Sequence, residues 1–476
     1  MFFGREKQLG ELEGLLRKRV ASLVTCRGRR RIGKSSLIAH FAARTKCRFI
    51  KIEGKKPEVG YSNETELEAF AEQLSAQTGA ESTVPSNWLN AFIRLGDKIS
   101  DQERTVVLLD EISWMGFYDK TFAGTLKIAW DNHWKRHDRL IVVLCGSVSS
   151  WIRDNFVENA AFMGRRSLDL VVGELPLCDC VRFWGRAAGR KDAREIIDVL
   201  SVTGGVPRYL EEVDPSLDAS ENIRRMAFRQ HSPLRDDFDE MFGDVITRLP
   251  ALSGRVLRCL VDGAHTVTEI SALLKMEKSG SVSGVLDCLG EAGLVCRDGG
   301  RNPETGAEAR EARYRLRDNY ARFYLKFVEP FREAIDAGSY EFVSLESLPG
   351  WETVMGLQFE NLVLNNYRSV IREMGMDGSL ILSAGPYRRR PTDGRRGCQV
   401  DLLVQTKRAL CLVEIKRRRD ISRDIASEVD DKVTAIARPP GVSVKTALVY
   451  EGRLQPGVEA DGYFDFIIPF ERLLAR

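Results

Sequence analysis

Residues 22–45 read SLVTCRGRRRIGKSSLIAHFAART, and their glycine spacing restricts the fold of this chain more than any other stretch. An apolar strand containing Leu23 and Val24 runs into a loop. A helix follows, with Leu37, Ile38 and Phe41 at helical spacing. The loop is Gly28-x4-Gly33-Lys34-Ser35, followed by Ser36. Glycines let the backbone curl so that its N–H groups face a phosphate, and the helix adds its positive N-terminal end. In such a loop Lys34 reaches the β- and γ-phosphates and Ser35 ligates Mg²⁺, so ATP and Mg²⁺ are the expected cofactors. Arg29, Arg30 and Arg31 also suit a nucleic-acid patch, but the glycine spacing specifies a phosphate loop and makes them lining residues.

A second apolar run, RTVVLLDEISWM at 104–115, ends in Asp110 and Glu111. After a phosphate loop, the first acid is placed to hold Mg²⁺ and the second to orient the attacking water. Alone, the run is simply a buried strand with acids at its end; the loop upstream favours the catalytic reading. A third run, LIVVLCGS at 140–147, ends in Ser147, placed to sense the γ-phosphate.

With 476 residues there is room for about three domains. The net charge of +3 rules out a polycation, so any nucleic-acid surface is local. Ten cysteines without a CxxC pair suit reduced thiols, and Cys178 and Cys180 have no second pair nearby for zinc. The charged start and the lack of a run of about 18 apolar residues predict a cytoplasmic protein without membrane contact. His133 and His137 lie four apart without the zinc-protease Glu, so a surface helix face is expected there.

The motifs FFGREKQLGELEGLL, the phosphate loop, LLDEISWM, VLCGS, MGRRSLDLVVGELPL and TGGVPRYLEEV occur in that order over residues 1–335. Together they resemble a prokaryotic AAA+/STAND-like ATPase family best known from archaea. The resemblance implies an ATPase core at 1–170, a helical lid at 171–245 and a homo-oligomer. Arg165 or Arg166 matches the region of an arginine finger acting across a subunit interface. Gly205, Pro207 and Arg208 match the family's GGxP motif in the lid. For these arginines, surface salt bridging is the alternative.

Residues 246–335 predict a winged helix-turn-helix: a short helix, TVTEISALLK, SGSVSGVLDCLGEAGL, then a polar hairpin into YRLRD. Ser281, Ser283 and the wing arginines could touch DNA. The helix in the base-reading position is nearly devoid of cations, with only Lys278 before it, so a spacer or weak clamp is favoured over a base reader.

After a linker at 336–349, residues 350–476 predict helix, three strands, helix, strand. Within them VDLLVQTKRALCLVEIK reads as a hairpin whose apolar strands carry Asp401, Glu414 and Lys416. Residues 414 and 416 share one strand face, about 6–7 Å apart, and Asp401 could meet them across the hairpin. Carboxylates with a backbone carbonyl make a hard, oxygen-lined Mg²⁺ site, and a lysine can orient or deprotonate the attacking water. Arg388, Arg389, Arg390, Arg395, Arg396, Lys407, Arg408 and Arg417, Arg418, Arg419 surround them, with Asp393 among the few nearby acids. Such a cluster suits a phosphate-backbone binder. The module is similar to the PD-(D/E)xK restriction-endonuclease-like fold. Glu360 matches that fold's acid on the first helix, and Glu428 or Lys432 its accessory positions; Val400 stands where the motif's name has Pro.

The expected fold class is thus multidomain α/β: a P-loop AAA+-type core with helical lid, a winged helix-turn-helix and a restriction-endonuclease-like domain. The leading functional expectation is an ATPase coupled to a Mg²⁺-dependent DNA nuclease in DNA processing or defence. The rivals are an ATP-gated DNA-binding regulator with an inactive nuclease-like domain, and a signalling ATPase whose C-terminal modules bind proteins.

Overall fold

Five short runs rich in Val, Leu and Ile form one parallel sheet: β1 (Ser22–Arg27), β2 (Arg48–Glu53), β3 (Thr105–Asp110), β4 (Leu140–Gly146) and β5 (Arg166–Val171), in the order β2-β3-β4-β1-β5. β3 and β4 are buried at every position, as a parallel sheet covered on both faces requires. One face packs on an aromatic core of Phe70, Trp88, Phe92, Phe122, Trp134 and Phe162. The computed structural model describes residues 2–475 except 80, 148, 246–249, 277–279, 300, 309–311, 377 and 392–395, with only the backbone at 149, 240–245 and 250. Lys278, Asp393 and Arg395 therefore lie outside the described residues.

The chain divides into two compact units, Met1–Glu174 and Leu175–Arg476. The first holds the parallel sheet. In it the helix Asn63–Thr78 starts at a capping box made by Ser62 and Thr65, and carries the buried Glu66. Both Glu66 carboxylate oxygens accept from the Lys55 N–H at 3.2 Å, while burial pushes its carboxyl up to about 7. In the unfolded chain this group ionises near 4.5. Below that value both states are protonated. As pH rises toward and through 7 the folded state must ionise a buried group, and stability falls. Glu66→Gln keeps the acceptor and removes the charge. We expect it to stabilise the protein by up to about 3 kcal/mol at about pH 8, read as a higher melting temperature, with little effect near pH 5.

The second unit contains two further sheets. A small antiparallel one consists of β6 (His265–Thr266), β7 (Val295–Asp298) and β8 (Arg313–Leu316), ordered β6-β8-β7. It lies with the helices Val267–Leu273 and Gly280–Glu291, the first capped by a Thr266/Glu269 box. The other sheet is mixed: β9 (Ile381–Arg389), β10 (Cys398–Thr406), β11 (Ala409–Ile421), β12 (Ser443–Leu454) and β13 (Phe466–Pro469), in the order β13-β12-β11-β10-β9. β9, β10 and β11 are antiparallel neighbours, and β11, β12 and β13 run parallel. The stretch 344–350 buries Leu345 and Leu348, and the helix Trp351–Asn365 begins directly after it.

The polar stretch Gln405-Thr406-Lys407-Arg408 suggests a four-residue turn, and the β10–β11 hairpin is tighter than that. Thr406 Oγ1 accepts from the N–H groups of Arg408 and Ala409, leaving Lys407-Arg408 as a two-residue turn. β11 also runs on through Arg417, Arg418 and Arg419, because β12 pairs with it as far as Ile421. No helix among the described residues is long and apolar enough to cross a membrane.

Candidate functional site

The loop between β1 and the helix Lys34–Arg44 curls where its glycines allow. Gly28 has φ +155° and lies so close to the Val172 carbonyl that a Cβ there would sit 2.2 Å from it. Gly33 caps the helix in the left-handed region at φ 86°. Lys34 is buried, its Nζ donating to the carbonyls of Gly28 and Arg29 at 3.0 Å each, which holds the ammonium at the loop. Ser35 is half-buried at the helix start, and Ser36 is exposed. Arg29 is buried beside Glu174, and Arg30 lies over the Trp114 ring at 5.7 Å.

Strand order brings the acids in. β3 and β4 are neighbours next to β1, so Asp110, Glu111 and Ser147 end on the edge of the sheet where the loop begins. Glu111 has φ 45°, a left-handed conformation that costs a non-glycine residue about 1–3 kcal/mol. Its Oε2 accepts from the Ser147 N–H at 3.1 Å and the Ser147 hydroxyl at 2.9 Å. Burial raises the Glu111 carboxyl above its ordinary range, against the pull of Lys34 and Ser147. Asp110 is buried, and Lys51 on β2 reaches it at 3.1 Å. Sequence reasoning missed Lys51, because only the β2-β3 pairing puts it beside the acid.

Residues 2–213 match an ATPase domain found predominantly in Archaea. The match spans the loop and the strand ends just described. Across 430 residues the chain is 23% identical to the uncharacterized protein MJECL04 of Methanocaldococcus jannaschii, covering 89% of each. Among solved structures, the Walker-type ATPase paby2304 of Pyrococcus abyssi matches at 17% identity and a TM-score of 0.48, over 68% of this chain and 96% of that one. The Aeropyrum pernix ORC2 protein matches at 14% identity and a TM-score of 0.40, over 70% and 91%.

The arginines of the ATPase domain are placed unequally. Arg165 Nε and Nη2 donate to the two carboxylate oxygens of Asp131, both at 2.9 Å, and hold that carboxyl down to about 2. Arg166 Nη2 donates to the Val157 carbonyl. In the second unit Arg208 pairs with Glu212 at 2.8 Å on its own helix. His137 is buried and bonded to Asp101 rather than exposed on a helix face, because the short turn Trp134–Arg136 carries it inward. All ten cysteines are described, and none is in a disulfide.

A second constellation is built on the mixed sheet. The β10–β11 register pairs Leu402 with Val413, and one more step sets Asp401 opposite Glu414. Asp401 Oδ2 accepts from the Ile415 N–H at 2.9 Å. Glu414 is 2% exposed, with Lys416 Nζ 2.8 Å from Oε1 and Lys432 Nζ 2.5 Å from Oε2. Lys416 also meets Glu428 at 3.1 Å. Burial, then repulsion from Glu414, pushes Asp401 up to about 6. Burial, then repulsion from Asp401, pushes Glu360 up to about 7. Although burial pulls its pKa down, Lys416 is raised overall by its bonds with Glu414 and Glu428. It therefore stays an ammonium, suited to orienting a water rather than deprotonating it. Among the described residues, no three His, Cys, Asp or Glu side chains stand close enough to hold a metal ion as they are.

The surrounding cations are less available than their sequence suggests. Arg417 is buried between Asp198 and Glu451, and Arg418 lies near Glu428. Arg389 donates to the carbonyls of Arg396 and Ala435. Arg388 and Arg390 keep exposed positions at the end of β9. In the small module Arg313 and Arg315 turn to Glu269, Asp298 and Asn361, while Ser281 is exposed and Ser283 half-buried.

Proposed function

We propose that this chain is an ATP-hydrolysing switch whose C-terminal module is a Mg²⁺-dependent DNA nuclease, working as a homo-oligomer in DNA processing or defence. The observation that carries it is Asp401 bonded across the hairpin to the Ile415 N–H, close enough to repel both Glu414 and Glu360, with Lys416 bound to Glu414. The donor set suits a hard divalent cation: buried carboxylates, two of them raised first by burial and then by repulsion from a neighbouring acid, a cost that a cation would relieve. Asp401, Glu414 and the Ile415 carbonyl would hold it, with Glu360 behind. When bound, such an ion stabilises the negative charge that builds on a phosphate under attack. The residues' own work is to place the water. Lys416 donates to it; the water oxygen adds to phosphorus as its proton passes to a non-bridging phosphate oxygen and on to solvent, and the P–O bond to the leaving sugar oxygen breaks as that oxygen takes a proton from solvent water.

In the ATPase domain, Ser35 and Asp110 would hold Mg²⁺, Glu111 would orient the attacking water and Ser147 would stand at the γ-phosphate. Of the two finger candidates, Arg166 fits better, since Arg165 is bidentate with Asp131. Residues 171–245 would act as the lid, with Arg208 at its GGxP motif, and 246–335 as a winged helix that does not read bases. The rival reading, an ATP-gated DNA-binding regulator, draws on Glu414, both of whose oxygens are held by lysines.

The test compares wild type, Lys34→Ala and Glu414→Ala on plasmid and single-stranded DNA, with Mg²⁺ or Mn²⁺, with and without ATP. Metal-dependent nicking should vanish in Glu414→Ala while its ATPase survives. Binding without cutting under every condition would hand the assignment to the regulator.

A further inference from the structure

A cleft of about 1100 Å³ opens inside the second unit, between the small antiparallel sheet and the mixed sheet. On one wall stand Glu269, Arg301 and Arg313; on the other Tyr387, Arg388 and Arg390. Glu360 and Asp401, two of the acids assigned above to the metal, also line it. The walls are joined by specific contacts. Arg315 on β8 donates to Asn361 and, at 3.3 Å, to Asn365, both on the helix that bears Glu360. Gln405 on β10 donates to the Pro303 carbonyl. A third link is of another kind: Arg390 Nη2 lies 3.2 Å from Glu269 Oε1, and Glu269 also holds Arg313 at 2.8 Å.

We propose that this cleft admits one strand of nucleic acid, not a duplex, and that Glu269 occupies the place of a backbone phosphate until the strand displaces it. The inference rests on the nuclease reading for its floor and adds the substrate class and the role of the small module. Three observations carry it. The cleft has the volume of a pocket for a large small molecule, whereas one turn of duplex is about 34 Å long. Exposed arginines stand on both walls, above an acidic floor, so a phosphate chain finds cations while its scissile group is led toward the acids. Tyr387, half-buried against the core of the mixed sheet, lines the cleft beside them and puts an aromatic group where the bases of a single strand would pass.

The Glu269–Arg390 bridge is suited to being broken. Arg390 is 64% exposed, and a pair that exposed contributes about 0–1 kcal/mol. A phosphodiester brings the same charge with more acceptor oxygens, so exchange of carboxylate for phosphate is nearly even for the protein. This also accounts for a winged-helix-like module with few cations on its presumed reading helix: its contribution is a wall and an anionic latch.

The test is binding without cutting. Fluorescence anisotropy in EDTA would use full-length protein and a short labelled oligonucleotide as single-stranded DNA, single-stranded RNA or hairpin duplex. Single strands should bind roughly tenfold tighter than the duplex. Equal affinity for the two sugars means that the cleft reads phosphates, and a preference names the sugar; either fits the cleft. Glu269→Gln keeps the capping box, since glutamine serves at that position, and should tighten single-strand binding about threefold. Arg388→Glu with Arg390→Glu should weaken it about tenfold or more at unchanged melting temperature. Duplex binding as tight as single strand, or no response to both variants, overturns the proposal. Loss of the nuclease reading would look different: strands bound with these preferences, yet never cut in Mg²⁺ or Mn²⁺.

Discussion

Glu111→Gln is expected to slow ATP turnover by about 10²–10⁴-fold while leaving ATP binding nearly unchanged. Lys34 Nζ donates to the carbonyls of Gly28 and Arg29, so the proposed phosphate contacts of the loop do not depend on a bond from Lys34 to Glu111. Glutamine still accepts from Ser147, so the strained φ of 45° keeps its support. What is lost is the negative charge that would draw a water proton. Steady-state phosphate release and equilibrium binding of a fluorescent ATP analogue separate the two quantities. If turnover and binding fell together, Glu111 would be a binding or folding residue. If neither moved, the water would be oriented elsewhere.

The ATP site is readable from sequence because its chemistry is local. The Gly28–Ser35 spacing dictates a loop, and a strand ending in Asp110-Glu111 dictates where acids emerge. Asp401, Glu414 and Lys416 are readable as members of one hairpin, but its register is not, because the four polar residues 405–408 hide a two-residue turn that Thr406 closes through the Arg408 and Ala409 N–H groups. Contacts set by distant chain segments are not readable. Lys51 meets Asp110 only because β2 flanks β3. Arg417 looks like part of a phosphate-binding run, yet its partner Asp198 lies 219 residues away. β13 is too short to stand out, and exists because β12 offers it a parallel edge. The Glu269–Arg390 ion pair joins residues 121 apart in the chain, and neither stretch announces the other.

Glu414→Gln should abolish metal-dependent cleavage and also remove a thermodynamic signature that needs no substrate. Asp401 and Glu360 titrate at about 6 and about 7 in the folded chain, against 3.8 and 4.5 unfolded. Below those unfolded values both groups are protonated in either state. As pH rises through 6 and 7 the folded state must ionise buried, mutually repelling carboxyls, and their contribution to stability is lost. The metal-free protein should therefore melt lower near pH 8 than near pH 5. The measurement is best made in the Glu66→Gln background, which removes a change of the same sign from the other unit. A divalent cation binds the ionised acids, so Mn²⁺ should raise the melting temperature near pH 8 and hardly at all near pH 5. At a hundredfold excess over Kd the gain is about 2.7 kcal/mol. Glutamine in place of Glu414 keeps an acceptor oxygen for only one of Lys416 and Lys432, which bind different carboxylate oxygens, and weakens the donor set, so the Mn²⁺ response should disappear while ATP stabilisation persists. A Mn²⁺ response that survives Glu414→Gln at full size would place the ion elsewhere, most directly at Ser35 and Asp110. Saturating the protein with ATP and Mg²⁺ beforehand separates those two sites.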